Sequence, residues 1–122
     1  MTKDNERKIH ELKDKIKEFC DARDWDQFHN AKDLAIALSI EASELLEIFR
    51  WKNSQEVEEL FKDEKKKEDI EDEMADILYF LVRMAQRYDI DLSEALDKKM
   101  EKNNNKYPVD KAKGSSKKYT EF

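Results

Sequence analysis

Two pairs of acidic residues at helical spacing lie within apolar sequence and offer the clearest chemistry in this chain. Glu41 and Glu44 lie in ALSIEASELLEIF, and Glu73 and Asp76 lie in EDEMADILYFLVRMA. A separation of three residues places both carboxylates of a pair on one face of a helix. Convergence of the four carboxylates would create an oxygen-rich site for a hard divalent cation, for which Mg²⁺ is the best candidate.

The position of Glu41 favours this interpretation more than the spacing alone. Four apolar residues fall within roughly 40° of Glu41 on a helical projection of about 100° per residue: Leu34, Ala37, Leu45 and Ile48. Glu41 is therefore expected near the middle of a buried face, where an uncompensated carboxylate is unfavourable. The alternative for any E-x-x-E pair is a charged helix edge that forms salt bridges.

The second acidic helix repeats the arrangement less strongly. Glu73 falls on the edge of its apolar face, and Asp76 lies about 60° further round, on a stripe shared with Phe80, Arg83 and Arg87. Packing this stripe against the first acidic helix would bring arginines near the carboxylates, where a guanidinium fork can bind phosphate oxygens. The sequence thus indicates a site for Mg²⁺ and a polyphosphate together. The predicted apolar face comprises Ile70, Met74, Ile77, Leu81, Met84 and Tyr88.

Other metal and nucleophile chemistries fit less well. A carboxylate di-iron bundle uses Glu-x-x-His on two helices, and neither His10 nor His29 lies three residues after a glutamate. One cysteine, Cys20, and two histidines are too few for a typical zinc site. Composition does not exclude Ser/His/Asp catalysis, but the strand-turn-helix nucleophile motif is absent.

The elements that must position these acids are predicted to be helices. The 122 residues suffice for one domain with a modest core. Gly114 and Pro108 are the only residues of their types, which disfavours β-rich folds and phosphate-binding glycine loops. We therefore predict an all-α protein, a single domain over 1–122 with its core at about 4–107 and a polar tail at 108–122.

The apolar pattern predicts five helical segments, at about 4–22, 31–51, 55–62, 66–88 and 92–106. Asn30, Ser54 and Asp91 are the expected caps of the second, third and fifth segments. The run KDEKKKEDIEDE is expected to be a solvated connection that leads into the fourth segment.

The net charge and the hydropathy of the chain limit its expected binding partners and cellular compartment. The net charge of −6 argues against general binding to nucleic acid or membranes. The chain has no apolar run of 18 residues and does not begin with an apolar leader segment. We therefore expect a cytoplasmic protein.

Five segments together resemble the MazG-like nucleotide pyrophosphohydrolases, in particular their dCTP pyrophosphatase branch: RDWDQFH, ALSIEASELLEIFRWK, EDEMADILYFLVRMA, KMEKNNNKYPV and GSSKKYTEF. The resemblance covers roughly residues 8–122. It implies a four-helix core that assembles into a homo-oligomer, with a tetramer favoured over a dimer. It also implies Mg²⁺-dependent cleavage, with Mn²⁺ as a substitute, between the α and β phosphates of dCTP or a related dNTP, unmodified or modified.

The resemblance also implies roles for individual residues. Glu41, Glu44, Glu73 and Asp76 match the metal-binding and catalytic acids of the family. One of these four acids, with Glu41 and Glu44 as the leading candidates, would also orient or deprotonate the attacking water, and the sequence leaves that choice open.

Two tryptophans and a histidine match the base-binding positions of the family. Trp25 and Trp51 offer flat π surfaces that stack on a base. His29 belongs to the same RDWDQFH segment as Trp25. The alternatives are that the tryptophans anchor the core or an interface, and that His29 satisfies a loop carbonyl.

Four further residues are expected to bind the nucleotide by the same resemblance: Phe80, Arg87, Lys99 and Asn103. The alternative for Lys99 is a solvated surface lysine. Ile16 and Phe80 stand where the family has a histidine and a tyrosine. Because hydrogen bonds discriminate strongly among similar substrates, these departures put a strict preference for dCTP in doubt. The competing hypotheses are a helical nucleotide- or protein-binding module without turnover, and a degenerate family member that senses nucleotide.

Overall fold

The regular secondary structure of residues 2–122 is helical. A computed structural model describes residues 2–122, and within that range there are α-helices and short 3-10 helices but no β-strand. The all-α fold class is therefore confirmed. None of the described helices combines the length and the apolar character that crossing a membrane requires. The helices are α1 (Ile9–Asp21), α2 (Ala31–Ile48), α3 (Ser54–Leu60), α4 (Glu64–Arg87), α5 (Leu92–Lys106) and α6 (Val109–Ala112).

Polar side chains cap α2 and α5 as the sequence predicts. Asn30 Oδ1 accepts a hydrogen bond from the backbone N–H of Asp33 at 2.8 Å. Asp91 Oδ1 accepts one from the N–H of Glu94 at 2.9 Å. Each bond satisfies an N–H group that the first turn of a helix leaves without a backbone partner.

Three predicted helix starts are wrong. Helix α1 begins at Ile9 rather than near residue 4, and Lys3–Asn5 forms a separate 3-10 turn before it. Asn53 rather than Ser54 caps α3, because its Oδ1 accepts from the Glu56 N–H at 2.9 Å while the Glu56 carboxylate accepts from the Asn53 N–H at 3.1 Å. Helix α4 begins before residue 66, because Asp63 accepts from the Lys66 N–H at 3.0 Å. The charged run KDEKKKEDIEDE is therefore mostly helical rather than a connection.

The first compact unit of the chain, which extends to Asp89, is built around α4. Helix α4 packs against both α2 and α1. The buried apolar side chains come from four helices: Cys20 on α1, Leu34 on α2, Leu60 on α3, and Ile70, Val82 and Ala85 on α4. Since α1 and α2 both contact α4, these two helices and α4 fix the surroundings of the acidic residues.

The predicted apolar face of α4 is only partly buried. Ile70 is buried, but Met74 is 56% exposed and Leu81 is 41% exposed. Val82 and Ala85 are buried instead, since two helices rather than one pack on α4. The exposed apolar positions line a groove of about 510 Å³ formed by Leu45, Met74, Ala75, Ile77, Leu78 and Leu81.

The second compact unit, Ile90–Phe122, contains α5, α6 and an aromatic cluster. The Tyr107 ring lies edge-on to those of Tyr119 and Phe122, at centroid distances of 6.0 Å and 5.8 Å. Lys106 Nζ lies 4.9 Å from the Tyr119 ring centroid. The tail beyond Pro108, for which the sequence shows no apolar pattern, thus folds back onto the end of α5. The single-domain prediction stays a prediction.

Candidate metal and nucleotide site

Three carboxylates converge between α2 and α4. One oxygen from each of Glu41, Glu73 and Asp76 lies within 4.8 Å of the other two. Glu41 and Glu73 are partly buried, and Asp76 is exposed. Small side-chain rotations would bring such oxygens to the Mg–O distance of about 2.1 Å, so this arrangement can hold one divalent cation.

Two of these carboxylates carry an oxygen that lacks a partner. Glu41 Oε2 and Glu73 Oε2 are buried, and neither finds a hydrogen-bond donor among residues 2–122. Buried polar atoms nearly always have a partner, and an ionised carboxylate can only accept. A hard cation supplies what both oxygens lack, so the residues present fit a bound Mg²⁺.

The electrostatics of the acidic cluster point the same way. Burial raises the pKa of Glu41 to about 7, and the carboxyl groups around it act in the same direction. Burial likewise raises the pKa of Glu73. Each shift reports that the charged form is unfavourable at its position. A divalent cation bound between the helices would remove this penalty.

Glu44, the fourth predicted ligand, lies beside this group rather than within it. Its side chain is exposed, and it is not among the residues whose oxygens lie within 4.8 Å of one another. Its carboxyl is still close enough to contribute to the raised pKa of Glu41. Its predicted role as a ligand stays a prediction.

A 3-10 turn at Asp26–Phe28 presents the first predicted base-binding residue. The Trp25 N–H donates to the Cys20 carbonyl at 3.1 Å, which ties the tryptophan to the end of α1. Its ring lies edge-on to Phe19 at a centroid distance of 5.7 Å, and 6.0 Å from the ring of His29. Trp25 is thus held in place with part of its surface exposed.

The sequence places Arg83 and Arg87 on the stripe expected to lie near the carboxylates and a phosphate, but the structure buries Arg83 instead. Arg83 is fully buried and forms an ion pair with Asp26. Its Nε donates to His29 Nδ1 at 2.9 Å, and the guanidinium holds the pKa of Asp26 below its usual range. These bonds fasten the Trp25 turn to α4 and leave Arg83 unable to reach a ligand. Its place inside the apolar run DILYFLVRMA is the sequence signal for such a buried role.

Arg87 lies one turn further along α4 and keeps more freedom. Its Nε is 3.9 Å from Asp26 Oδ1 and donates to the His29 carbonyl oxygen at 3.4 Å. A third of its side chain is exposed, so the guanidinium can still turn towards solvent. Its predicted contact with phosphate stays a prediction.

Trp51 follows the end of α2 and is 86% exposed. Its φ of +65° lies in the left-handed region, which is uncommon for a bulky residue and strained. The Arg50 guanidinium carbon lies 4.8 Å from its ring centroid. The interpretation of Trp51 as an anchor of the chain's own core is therefore wrong, and a base platform or an interface anchor remains.

The two positions that depart from the family pattern lie near one aromatic group. Phe80 contacts Tyr79 edge-on at a centroid distance of 4.9 Å, and Tyr79 contacts Phe19 in the same way at 6.1 Å. Ile16 lines a cavity of about 230 Å³ together with Lys15, Phe19 and Tyr79.

Lys99 and Asn103 lie on α5 in the second unit, and their predicted roles stay predictions.

The chain combines a helical fold with an acidic cluster shared by two helices. The chain belongs to the MazG-like family, whose profile matches residues 36–122. The expected family resemblance is thereby confirmed. A solved pyrophosphatase from Archaeoglobus fulgidus is 43% identical, with a TM-score of 0.76 over 81% of this chain and 91% of that protein.

Two mammalian proteins are also similar to the chain. dCTP pyrophosphatase 1 of Mus musculus and that of Homo sapiens are each 39% identical to the chain over 105 residues, which is 86% of its length. The chain spans 62% of the length of either relative.

Proposed function

We propose that this protein is a Mg²⁺-dependent nucleoside triphosphate pyrophosphohydrolase. It cleaves the bond between the α and β phosphates of dCTP or a related dNTP and releases a monophosphate and pyrophosphate. The observation that carries this proposal is the pair of buried, unpartnered oxygens of Glu41 and Glu73 within a three-carboxylate cluster. Membership of the MazG-like family and the similarity to two dCTP pyrophosphatases support it.

One group of residues would act at the reacting phosphates, and Trp25 would act at the base. Glu41, Glu73 and Asp76 would hold the cation between α2 and α4. When bound, Mg²⁺ supplies charge neutralisation on the triphosphate and a lower pKa for the attacking water. Glu44, beside the cluster, would orient that water or accept its proton. Trp25 would stack on the base.

Pyrophosphate release from single nucleotides tests this function. We expect release from dCTP with Mg²⁺, a lower rate with Mn²⁺, and none with EDTA. Parallel samples of dTTP, dATP, dGTP and CTP measure the base and sugar preference. Similar rates on several bases would keep the chemistry and remove the preference for cytosine. A folded protein that releases pyrophosphate from none of them would contradict the proposal and favour a binding module.

We also propose that the protein is a homo-oligomer, a tetramer of two dimers in preference to a dimer. Helices α2 and α4 expose several large apolar side chains, a surface that isolated soluble chains usually cover. They include Ile36, Ile40 and Leu46 on α2 and Met74 and Leu78 on α4. Light scattering at micromolar concentration is expected to give the mass of four chains, and a monomer mass would contradict this proposal.

A further inference from the structure

Every nitrogen of the Arg83 guanidinium is engaged within the first unit. Nε donates to His29 Nδ1 at 2.9 Å, Nη1 donates to Gln86 Oε1 at 2.5 Å, and Nη2 pairs with Asp26. The side chain is fully buried. A planar group with three fixed partners cannot rotate without breaking several bonds at once. Arg83 is therefore a rigid donor aimed at the His29 ring.

The bond from Arg83 decides which nitrogen of His29 carries the proton. An arginine N–H can only donate and does not lose its proton in proteins. Nδ1 of His29 must then be the unprotonated acceptor, so the ring is neutral and Nε2 carries its hydrogen. Burial lowers the pKa of His29, and the charges of Arg83 and Arg87 lower it further against the opposing effect of Asp26. The neutral ring is thus favoured at physiological pH.

We propose that Arg83 is a positioning residue that holds His29 as its Nε2-protonated tautomer, so that Nε2 donates a hydrogen bond to the bound nucleotide. This inference rests on the proposed function. The centroid of the His29 ring lies 6.0 Å from that of Trp25, so the histidine is a neighbour of the residue proposed to stack on the base. The partner of Nε2 is an acceptor on the base edge, such as a ring carbonyl oxygen.

Nitrogen NMR of the histidine rings tests the tautomer in the ligand-free protein. His10 is the other histidine, and His10→Ala assigns the two sets of signals. We expect His29 to show the Nε2-protonated pattern at pH 7.5 and to keep it in Arg87→Met. This control removes a neighbouring arginine that bonds the His29 backbone rather than its ring. In Arg83→Met the two tautomers are expected to mix.

Two results of this experiment would overturn the role of Arg83. One is a wild-type spectrum with Nδ1 protonated or with mixed tautomers. The other is an Arg83→Met spectrum identical to that of the wild type. Because the first needs only the wild-type protein, the proposal can be refuted even if Arg83→Met fails to fold.

Titration with dCMP and Mg²⁺ tests the donor role without turnover. We expect dCMP to shift the His29 Nε2 and its proton, and to bind about fivefold more weakly to Arg83→Met, as for loss of one neutral hydrogen bond. A His29 signal that does not move up to millimolar dCMP would overturn the donor role. Loss of the proposed hydrolysis is a separate outcome, since the protein would then bind dCMP but release no pyrophosphate from any triphosphate.

Discussion

Replacing Glu41 with glutamine is expected to lower kcat/KM for the preferred nucleotide by about 10²-fold or more, while the helices stay folded. Glutamine keeps the shape of the side chain and removes its charge. Glu41 contributes one of the two buried oxygens without a partner and shares the cluster with Glu73 and Asp76. Pyrophosphate release measures the loss, and circular dichroism checks the fold.

Glu47→Gln is the matched control on the same helix. Glu47 is exposed and pairs with Arg50 at the surface, with a separation of 3.3 Å between Glu47 Oε1 and Arg50 Nη1. Its replacement removes the same charge from α2 but not from the cluster, so activity should be unchanged. Wild-type turnover in Glu41→Gln would show that the carboxylate cluster is not part of the active site.

The Glu41→Gln variant also tests how the stability of the protein depends on pH. The pKa of Glu41 is raised to about 7 from the ordinary glutamate value of 4.5, so between these pH values the folded protein holds a proton that the unfolded chain has released. The stability of the metal-free protein should therefore fall as pH rises through this window. Glu41→Gln should lessen that fall and reduce the stabilisation by Mg²⁺ above pH 7. Thermal unfolding at several pH values, with EDTA or Mg²⁺, measures both effects.

Removal of the Asp26 carboxylate is expected to produce the largest loss of stability. In Asp26→Ala the guanidinium of Arg83 stays fully buried but loses its counter-charge, and it cannot deprotonate. Breaking a buried pair from one side is strongly destabilising. We expect Tm to fall on the order of 5–10 °C, with allowance for the partial exposure of Asp26. Calorimetry or dichroism measures this change.

A second substitution shows whether the stranded charge is the cause. Arg83→Met in the Asp26→Ala protein removes the buried cation and fills similar volume, so most of the lost Tm should return. Asp69→Ala is the control, since Asp69 also pairs with a cation, Lys65, at 2.7 Å but at the exposed surface. Exposed pairs contribute little. Equal losses in Asp26→Ala and Asp69→Ala would contradict a structural role for the Arg83 pair.

The helical periodicity of apolar residues predicts which face of α2 packs against its neighbour. Glu41 sits among Leu34, Leu45 and Ile48 in the sequence, and a helix with those positions buried must bring its carboxylate to a neighbouring helix. The helix caps Asn30 and Asp91 are also predictable, because a cap depends on a few residues of local sequence. Local rules therefore predict that the helices form and that Glu41 meets the acids of α4, whereas several helix starts and the position of Glu44 differ from the prediction.

The features that were not predicted depend on contacts between distant parts of the chain. Asp26 and Arg83 are 57 residues apart, so no local pattern in the sequence indicates that they form an ion pair. Val82 and Ala85 are buried because α1 and α2 both pack on α4, whereas a single helical projection provides for one neighbour. The start of α3 was misplaced because Asn53 and Ser54 are both good caps, and the carboxylate of Glu56 decides between them.

The left-handed backbone at Trp51 has a consequence for how this chain can change. Glycine adopts such a conformation without strain, whereas another residue pays about 1 kcal/mol or more. The free chain bears that penalty, while any benefit of the indole arises only when a base or a second chain covers it. A recognition role for Trp51, as a base platform or an interface anchor, would make position 51 a trade-off between stability and recognition. Substitutions there that make the isolated chain more stable would then remove the indole that such a role requires.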